Sequence, residues 1–242
     1  MNTQELKLKI ADLAHLNQED CDNSLREIMT EILRNYHIEI DGWILYPTEV
    51  EAYYYGGNHK DVYVHQNELQ NNRFGQLYVH RHPKNKTKEG HPKGWAGIDL
   101  CLSDDKDNKD VFFGLLIRAA RINDLEAEPV VGPYNLYCAL KDGESPDYYK
   151  TLESNTVVLK ENDSPIQESS VFFSKRIGLK PRDEDPDGRY LGAALRAVRT
   201  NLLKGTKYQR KEDLFKGRLN TPSEQSYEKY ALDVLGYVPK EK

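Results

Sequence analysis

The chain has 242 residues, of which 38% are hydrophobic and 30% charged, so it is long enough to bury a sizeable globular core. Its formal net charge of -5 excludes a general polyanion binder of the histone type, although a local basic groove remains compatible with it. The sequence shows neither a signal peptide nor an apolar stretch that could cross a membrane. Its three cysteines are not spaced as a disulfide framework would require. We therefore expect a cytoplasmic protein without a membrane partner.

The pattern of apolar residues predicts two helices followed by strands. A weak helix carries Leu6, Ile10 and Leu13, and a stronger one is expected from an N-cap at Asn23 to about Tyr36. Runs rich in aromatic and β-branched residues then predict a series of strands. These strands are Trp43–Tyr55, Gln76–Arg81, Ala96–Leu102, Val111–Ile122 and Ser170–Leu179.

The second half of the chain is less regular. Pro133–Leu140 is expected to form a short helix, Thr156–Leu159 a small strand, and Glu224–Leu235 a last helix that ends at Gly236. The segment Tyr190–Leu203 fits either a strand or a helix. The elements predict an α+β fold with an N-terminal helical extension at residues 1–38 and one domain at residues 39–242. The sequence does not indicate an oligomeric state.

The end of the first long strand has the sequence Glu-Val-Glu-Ala-Tyr at Glu49–Tyr53. Because strand side chains alternate between faces, Glu49, Glu51 and Tyr53 are predicted to share one face. Two carboxylates beside a phenol suit a site that activates water next to a flat, stackable substrate. An exposed strand face that merely carries charges is the alternative.

Six short motifs, in order, resemble the alkyladenine (3-methyladenine) DNA glycosylase family, a base-excision repair family. The family has Glu-Thr-Glu-Ala-Tyr, an acidic residue four before a histidine, Gly-Thr-Leu-Tyr-Val, Leu-Leu-Arg-Ala, Gly-Pro-Ser-Lys-Leu and Ala-Arg-Val-Gly-Val. The matching segments are Glu49–Tyr53, Asp61–His65, Gly75–Val79, Leu115–Ala119, Gly132–Leu136 and Lys175–Leu179. The similarity spans roughly residues 43 to 200, and it implies a mixed, strongly curved, antiparallel-rich sheet with flanking helices.

The resemblance also implies a role for individual residues. Glu51 takes the place of the general base that activates water to hydrolyse the N-glycosidic bond of a flipped, damaged purine. Tyr53 takes the place of an aromatic side chain that stacks on the base. His65 is placed like a histidine near the base, and Arg118 like an arginine at the floor of the site.

The neighbouring strands are expected to complete this site. Tyr78 and His80 would line the base pocket, His80 in the place of a stacking tyrosine. Asp99 is expected to face away from the core and could pair with Glu51, which would raise the pKa of one of the two acids. Alternatively, Asp99 caps a turn or pairs with an arginine. Glu49 would support the site as its second carboxylate.

A basic insert follows the strand that carries His80. Between residues 81 and 93 it holds five Lys or Arg side chains and one Glu. The insert could grip phosphates, which makes DNA the expected partner, or it could be an ordinary solvated loop. The five basic residues are Arg81, Lys84, Lys86, Lys88 and Lys93.

No sequence motif indicates a cofactor. The chain has no glycine-rich phosphate loop after a strand, no nucleophile elbow and no Cys-x-x-Cys. His80 and His82 could bind a metal together with His65 or His91, but no cysteine ligand or helical His-x-x-x-His supports such a site. We therefore expect neither cofactor nor metal.

Two other functions remain open at this stage. The place of the family's tyrosine wedge is occupied here by residues 80–83, His-Arg-His-Pro, which favours a non-catalytic module that binds nucleic acid or protein on the same fold. A tyrosine-lined pocket without a basic groove would instead favour a hydrolase of free nucleosides or other small molecules.

Overall fold

The computed structural model describes residues 1–80, 96–104, 110–140, 148–154, 157–166, 170–200, 203–218 and 227–239. Short helices flank a sheet, and a 3-10 turn at Leu13–His15 joins the first two of them. The helices of the described residues are α1 (Thr3–Asp12), α2 (Gln18–Asn35), α3 (Glu68–Asn72), α4 (Pro133–Leu140), α5 (Tyr148–Leu152), α6 (Arg189–Gly192), α7 (Lys211–Arg218) and α8 (Tyr227–Leu235).

The strands form one large sheet. They are β1 (Tyr36–Ile40), β2 (Trp43–Gly56), β3 (His59–Lys60), β4 (Leu77–His80), β5 (Gly97–Cys101), β6 (Phe112–Ile122), β7 (Val130–Val131), β8 (Val157–Glu161), β9 (Ser170–Ser174) and β10 (Arg196–Thr200). The main path runs β4-β5-β6-β2-β1-β8, while β10 joins β2 to β9, β3 pairs with β2 and β7 pairs with β6. The predicted α+β class is confirmed in this form, as helices around a large antiparallel sheet.

The expected mixture of parallel and antiparallel pairs is wrong for the described residues, where every pairing is antiparallel. Strands that follow each other, such as β1 and β2 or β5 and β6, are neighbours without a crossover helix, and such connections give antiparallel pairs. The strong curvature that the resemblance implies stays a prediction.

β2 is the longest strand and organises the sheet. One of its edges pairs with β6 from Leu45 to Tyr55, and the other edge is shared in turn by β1, β10 and β3. The register with β6 shifts on both sides of Glu49, which marks a bulge next to Pro47. Proline has no N–H to donate to a neighbouring strand, so an irregularity there is expected.

The bulge decides which side chains of β2 face the core. The two shifts cancel, because one strand and then the other carries an extra residue, but the alternation of β2 is reversed across them. Leu45 before the bulge and Val50 and Ala52 after it therefore lie in the same hydrophobic core. Glu49 and Glu51 are thereby placed on the opposite face of the sheet.

The main hydrophobic core lies between the sheet and the N-terminal helices. Leu25, Ile28 and Met29 of α2 belong to the same buried cluster as Val50 and Ala52 of β2. The predicted helical extension therefore shares a core with the sheet, and its expected boundary after residue 38 falls inside β1.

A second, smaller core involves the C-terminal segment. Phe172 of β9 and Val198 of β10 cluster with Leu214 and Phe215 of α7 and with Leu235 of α8. The C-terminal segment thus packs over β9 and β10, and β10 borders the polar half of β2.

Several element boundaries differ from the sequence prediction. α2 begins earlier than expected, because the side chain of Asn17, not Asn23, accepts a hydrogen bond from the Asp20 N–H at 2.9 Å. The strand predicted for Ser170–Leu179 ends at Ser174, and the N–H of Ile177 binds a side chain instead of a neighbouring strand.

β1 was not predicted as a strand. It is only five residues long, and its partner β2 follows after a tight turn at Asp41 and Gly42, both of which have positive φ angles. The last predicted helix is present as Tyr227–Leu235, and its expected first turn lies outside the described residues.

Candidate active site

Glu51 occupies the centre of the polar face of β2. Its side chain is fully buried, and two neighbours donate hydrogen bonds to its carboxylate. The Tyr53 hydroxyl donates to Oε2 at 3.0 Å, and the Ile177 N–H donates to Oε1 at 2.7 Å. The fold thus brings the motif around Ile177 into contact with the motif Glu49–Tyr53, although Ile177 and Glu51 are 126 residues apart in the sequence.

The pKa of Glu51 is raised above its usual value. Burial away from water is the largest cause, and the nearby Glu49 carboxylate adds to it, whereas Arg118 and the Ile177 N–H act in the opposite direction. A carboxylate of raised pKa is, in its ionised form, a stronger base than an ordinary glutamate.

Glu49 anchors a buried ion cluster beside Glu51. Its Oε1 accepts hydrogen bonds from Arg118 Nε at 3.0 Å and from Arg196 Nε at 2.7 Å. Arg118 Nε also lies 3.5 Å from Oε1 of Glu51. Arg196 is fully buried and donates further hydrogen bonds to Ser174 and to the Gln209 carbonyl. Glu49 thus positions Arg118 next to Glu51.

Tyr53 joins Glu51 to a small cavity. The Arg176 guanidinium lies 4.6 Å from the centre of the Tyr53 ring and covers it. Burial and the adjacent Glu51 carboxylate raise the pKa of Tyr53 well above its usual value, so its hydroxyl keeps its proton and stays a donor. Arg176 itself is held by the Asp61 carboxylate and by the Ala52 carbonyl.

The small cavity has a volume of about 40 Å³. It can hold a few water molecules in this conformation, and a purine would require it to widen. Its lining residues are Tyr53, Tyr63, His65, Gln70, His80, Asp99, Leu179 and Arg182.

Of the expected base-pocket residues, Tyr53, His65 and His80 line this cavity, whereas Arg118 lines a different one. His65 is exposed at the rim of the small cavity, and its ring meets the rings of Tyr78 and His80 edge to face, with centroids 6.2 and 5.2 Å apart. Tyr78 contacts His65 but is not among the lining residues. Burial raises the pKa of Tyr78, so it is a neutral phenol.

Asp99 does not pair with Glu51. Its Oδ1 accepts a hydrogen bond from His80 Nδ1 at 2.9 Å, and its Oδ2 accepts one from Gln70 Nε2 at 3.0 Å. The register of the sheet explains this choice, because Tyr78 of β4 lies opposite Asp99 of β5 and His80 is the diagonal neighbour on the same face. Among the residues that the structure describes, neither a turn nor an arginine takes the Asp99 carboxylate.

A second, larger cavity lies beside the first. Its volume is about 340 Å³, within the range of ligand-binding pockets. Arg118 and Ile177, which approach Glu51, line this cavity, and His80 lines both cavities. The other lining residues are Ala96, Leu116, Gly132, Pro133, Tyr134, Asn135 and Gly178.

The predicted phosphate-gripping residues Arg81, Lys84, Lys86, Lys88 and Lys93 lie outside the described residues. The sequence has a second basic segment, with seven Lys or Arg between residues 199 and 218. Its first member, Arg199, is only 4% exposed, so it is not a surface cation. Its pKa falls to about 10, because it is buried and lies near Arg121 and Arg34.

Sequence reasoning missed several residues that shape the site. Arg176 and Arg196 are buried cations in strand-like or loop segments, and Gln70 and Arg182 line the small cavity. Arg176 lies within the motif Lys175–Leu179, and its position next to Ile177 in that motif was the available signal. Nothing in the local sequence distinguishes Gln70 from the other amides of the polar segment around α3.

Among the described residues, no group of three His, Cys, Asp or Glu side chains is arranged to hold a metal ion. Over the same residues, none of the helices combines the length and the apolar character needed to cross a lipid bilayer.

Comparison with models of known protein families finds no match for this chain. Comparison with curated proteins likewise finds no significant relative. The assignment of a function therefore depends on the geometry around Glu51.

Proposed function

We propose that the chain is a DNA glycosylase-like hydrolase that cleaves the N-glycosidic bond of a flipped, damaged purine, with Glu51 as the base that activates water. One observation carries the proposal: a buried carboxylate of raised pKa lies behind the walls of two cavities and accepts a hydrogen bond from one lining residue of each. Its partners Tyr53 and Ile177 belong to the walls of the smaller and the larger cavity.

The chemistry requires a free acceptor position on Glu51. A carboxylate offers about four lone-pair positions. The bonds from Tyr53 and Ile177 and the longer contact with Arg118 use three of them, which leaves one for a water molecule. In the proposed step the water oxygen bonds to the sugar C1′, Glu51 takes the water proton, and the electron pair of the C1′–N bond leaves with the base.

The two cavities have different roles in this proposal. The larger one has the volume to admit the sugar and phosphate of a nucleotide, and Arg118 in its wall supplies a positive charge. The smaller one has flat side chains suited to a base, namely Tyr53, Tyr63 and His65, and it must widen when the base enters.

The test is base release from labelled oligonucleotides. Duplex and single strands that carry one hypoxanthine or one alkylated purine are incubated with the protein, and alkali then cleaves any abasic site. We expect release by the wild-type protein and no release by Glu51→Gln, which keeps the shape of the side chain and removes the base. Glu39→Gln changes a partly exposed carboxylate on β1, which pairs with Lys160, and is the matched control that keeps activity.

Equal release by wild type and Glu51→Gln would exclude Glu51 as the base. Release of a base from free inosine, but not from DNA, would instead assign the site to a nucleoside hydrolase.

A second candidate is a non-catalytic module that binds nucleic acid. It is favoured by the partners that both oxygens of Glu51 already have and by the complete burial of this side chain. Filter binding of the same oligonucleotides separates the two candidates. The binding module predicts retention by wild type and Glu51→Gln alike, with no abasic product from either, and loss of retention when Lys84, Lys86 and Lys88 are replaced by Ala.

A further inference from the structure

Two arginines, Arg121 of β6 and Arg199 of β10, lie near each other where β2 has its bulge, and we call them the bulge arginines. Arg121 is opposite Tyr46 of β2, and Nη2 of Arg199 donates to the Pro47 carbonyl at 3.4 Å. The pairing of β2 with β6 skips Thr48, the next residue along β2. Bulges often lie next to functional sites, where they redirect side chains. Here the bulge brings two cations to one place in the sheet.

The hydrogen bonds of the bulge arginines leave most of their donors unused. In the part of the chain that the structure describes, Nη1 of Arg121 donates to the Leu125 carbonyl, and Arg199 makes only its long bond to the Pro47 carbonyl. Nε of both side chains is buried and has no acceptor. A guanidinium group offers five N–H donors, so both groups can accept a further partner.

The lack of a counter-charge sets Arg199 apart from the other buried arginines. Arg118 and Arg196 pair with Glu49, and Arg176 pairs with Asp61. Of the buried arginines among the described residues, Arg199 is the one without a carboxylate partner. Since Glu49 is already held by its own two arginines, it does not neutralise this place.

The positive charge of Arg199 persists although it is unfavourable. Burial, together with the charges of Arg121 and Arg34, lowers the pKa of Arg199 to about 10, so the side chain is still protonated at pH 7. A buried charge that no opposite charge compensates destabilises the fold. The folded chain thus holds positive charge at the bulge that its described residues do not neutralise.

We propose that the bulge arginines bind a phosphate group that carries two negative charges, either as inorganic phosphate or as a phosphate monoester. The planar fork of a guanidinium group matches the oxygens of phosphate. Two uncompensated cations balance a dianion, whereas a phosphodiester or a carboxylate brings only one charge. Arg121 is partly exposed, so an anion can approach from its side.

The hydroxyl of Thr48 is a further donor for this phosphate. Thr48 is 2% exposed, and its Oγ1 lies near the Tyr208 hydroxyl without forming a well-aligned hydrogen bond. This site is separate from the proposed glycosylase chemistry, because the described partners of Glu51 do not include either bulge arginine. The two proposals can therefore fail independently.

The experiment compares three ligands by isothermal titration calorimetry at pH 8 and constant ionic strength. Inorganic phosphate and methyl phosphate are mostly dianions at this pH, whereas dimethyl phosphate is a monoanion. We expect inorganic phosphate to bind at least about 10-fold more tightly than dimethyl phosphate. Methyl phosphate that binds as tightly as inorganic phosphate would identify a monoester as the ligand, and methyl phosphate that binds weakly would identify free phosphate.

Substitution by methionine removes each charge and keeps the length of the side chain. Arg199→Met and Arg121→Met should each weaken phosphate binding by about 10-fold or more. Arg210→Met is the matched control, because Arg210 is an exposed arginine of the same basic segment and already pairs with Asp213. Its affinity for phosphate should equal that of the wild type.

Melting temperatures distinguish a binding role from a structural one. Without phosphate, Arg199→Met should melt at the wild-type temperature or above it, because it removes a buried charge that nothing neutralises. Added phosphate should raise the melting temperature of the wild type and of Arg210→Met, since a ligand of the folded state stabilises it, but not that of Arg199→Met.

Three results would overturn the proposal: no binding of inorganic phosphate by the wild type, equal binding of all three ligands, or wild-type affinity in both Arg199→Met and Arg121→Met. A melting temperature of Arg199→Met well below that of the wild type without phosphate would also count against it, because the arginine would then stabilise the fold on its own. If Arg199→Met does not fold, Arg121→Met, at a partly exposed position, decides the question by its phosphate affinity.

Discussion

The two faces of β2 are built in different ways from the same strand. On one face Val50, Ala52 and Tyr54 pack against apolar side chains of α2 and neighbouring strands. On the other face Glu49 and Glu51 are just as deeply buried, but arginines, a phenol and a backbone N–H surround them. The apolar face needs only side chains of suitable size, whereas the polar face needs every partner in position.

The two faces of β2 differ in how strictly their side chains must be positioned. An apolar cluster tolerates small adjustments, because hydrophobic burial has no direction. A buried carboxylate without its partners would cost several kcal/mol in lost hydration, so each member of the polar cluster depends on the others. The two faces should therefore respond differently to substitution.

The largest expected effect on stability is at Arg196, on the polar face. Arg196→Ala removes a fully buried partner of Glu49 and leaves Arg118 alone to compensate the carboxylate. We expect the free energy of unfolding at pH 7 to fall by about 3–5 kcal/mol, the range for breaking a buried ion pair. Urea unfolding followed by circular dichroism measures it.

The double variant Glu49→Gln/Arg196→Met is the control, since it removes both charges together. It should recover much of the stability that Arg196→Ala loses. A loss below about 1 kcal/mol in Arg196→Ala would show that the ion cluster is not needed for folding.

A smaller effect is expected on the apolar face. Val50→Ala removes two methyl groups from a fully buried side chain that lies one residue from Glu49. We expect a loss of about 2 kcal/mol, from the lost apolar burial and the cavity left behind. This loss should not change with pH between 5 and 8, whereas a pH-dependent loss would mean that the substitution disturbs the acids on the opposite face.

Asp22 sharpens the comparison, because it is a buried charge on the helix side of the sheet. Burial alone would raise its pKa, but hydrogen bonds from His59 at 3.0 Å and from Arg189 at 2.6 Å outweigh burial, and the pKa is lowered from 3.8. A lowered pKa contributes stability that is present above pH 3.8 and is lost as the pH falls through the folded-state value.

Asp22→Asn should therefore lower the free energy of unfolding by about 1 kcal/mol at pH 7 and by progressively less below pH 4. Thermal melts of both proteins between pH 2.5 and 7 measure the gap. A gap that stays constant down to pH 2.5 would show that the charge of Asp22 has no part in its contribution.

The sequence predicted the strands of the sheet better than the partners of their side chains. Alternation in Glu49–Tyr53 correctly placed Glu49, Glu51 and Tyr53 on one face, because alternation is local. β1 was missed because five residues give a weak pattern, although Asp-Gly at residues 41–42 is a strong hairpin signal.

The partners could not be predicted because they are set by register and by contacts distant in sequence. Asp99 binds His80 because β4 and β5 pair with Tyr78 opposite Asp99, and a shift of one residue would place His80 on the other face. Arg196 reaches Glu49 across 147 residues of chain, a separation over which local pattern carries no information.

The smallest expected change in stability is at Glu51, and its sign distinguishes a functional acid from a structural one. The pKa of Glu51 is raised, so the folded state holds this proton more tightly than the unfolded chain does. Stability then falls as the pH rises from the unfolded value of 4.5 toward the folded value.

Glu51→Gln has no such dependence, and its amide can still accept from Ile177 and contact the Tyr53 hydroxyl. At pH 4 the two proteins should have similar melting temperatures, and at pH 8 the variant should be equal or more stable, by up to about 1 kcal/mol, or roughly 2–4 °C. If the melting temperature of the variant instead falls further below that of the wild type as the pH rises, the ionised Glu51 stabilises the fold. Its carboxylate would then be a structural partner of Arg118 and not a base that activates water.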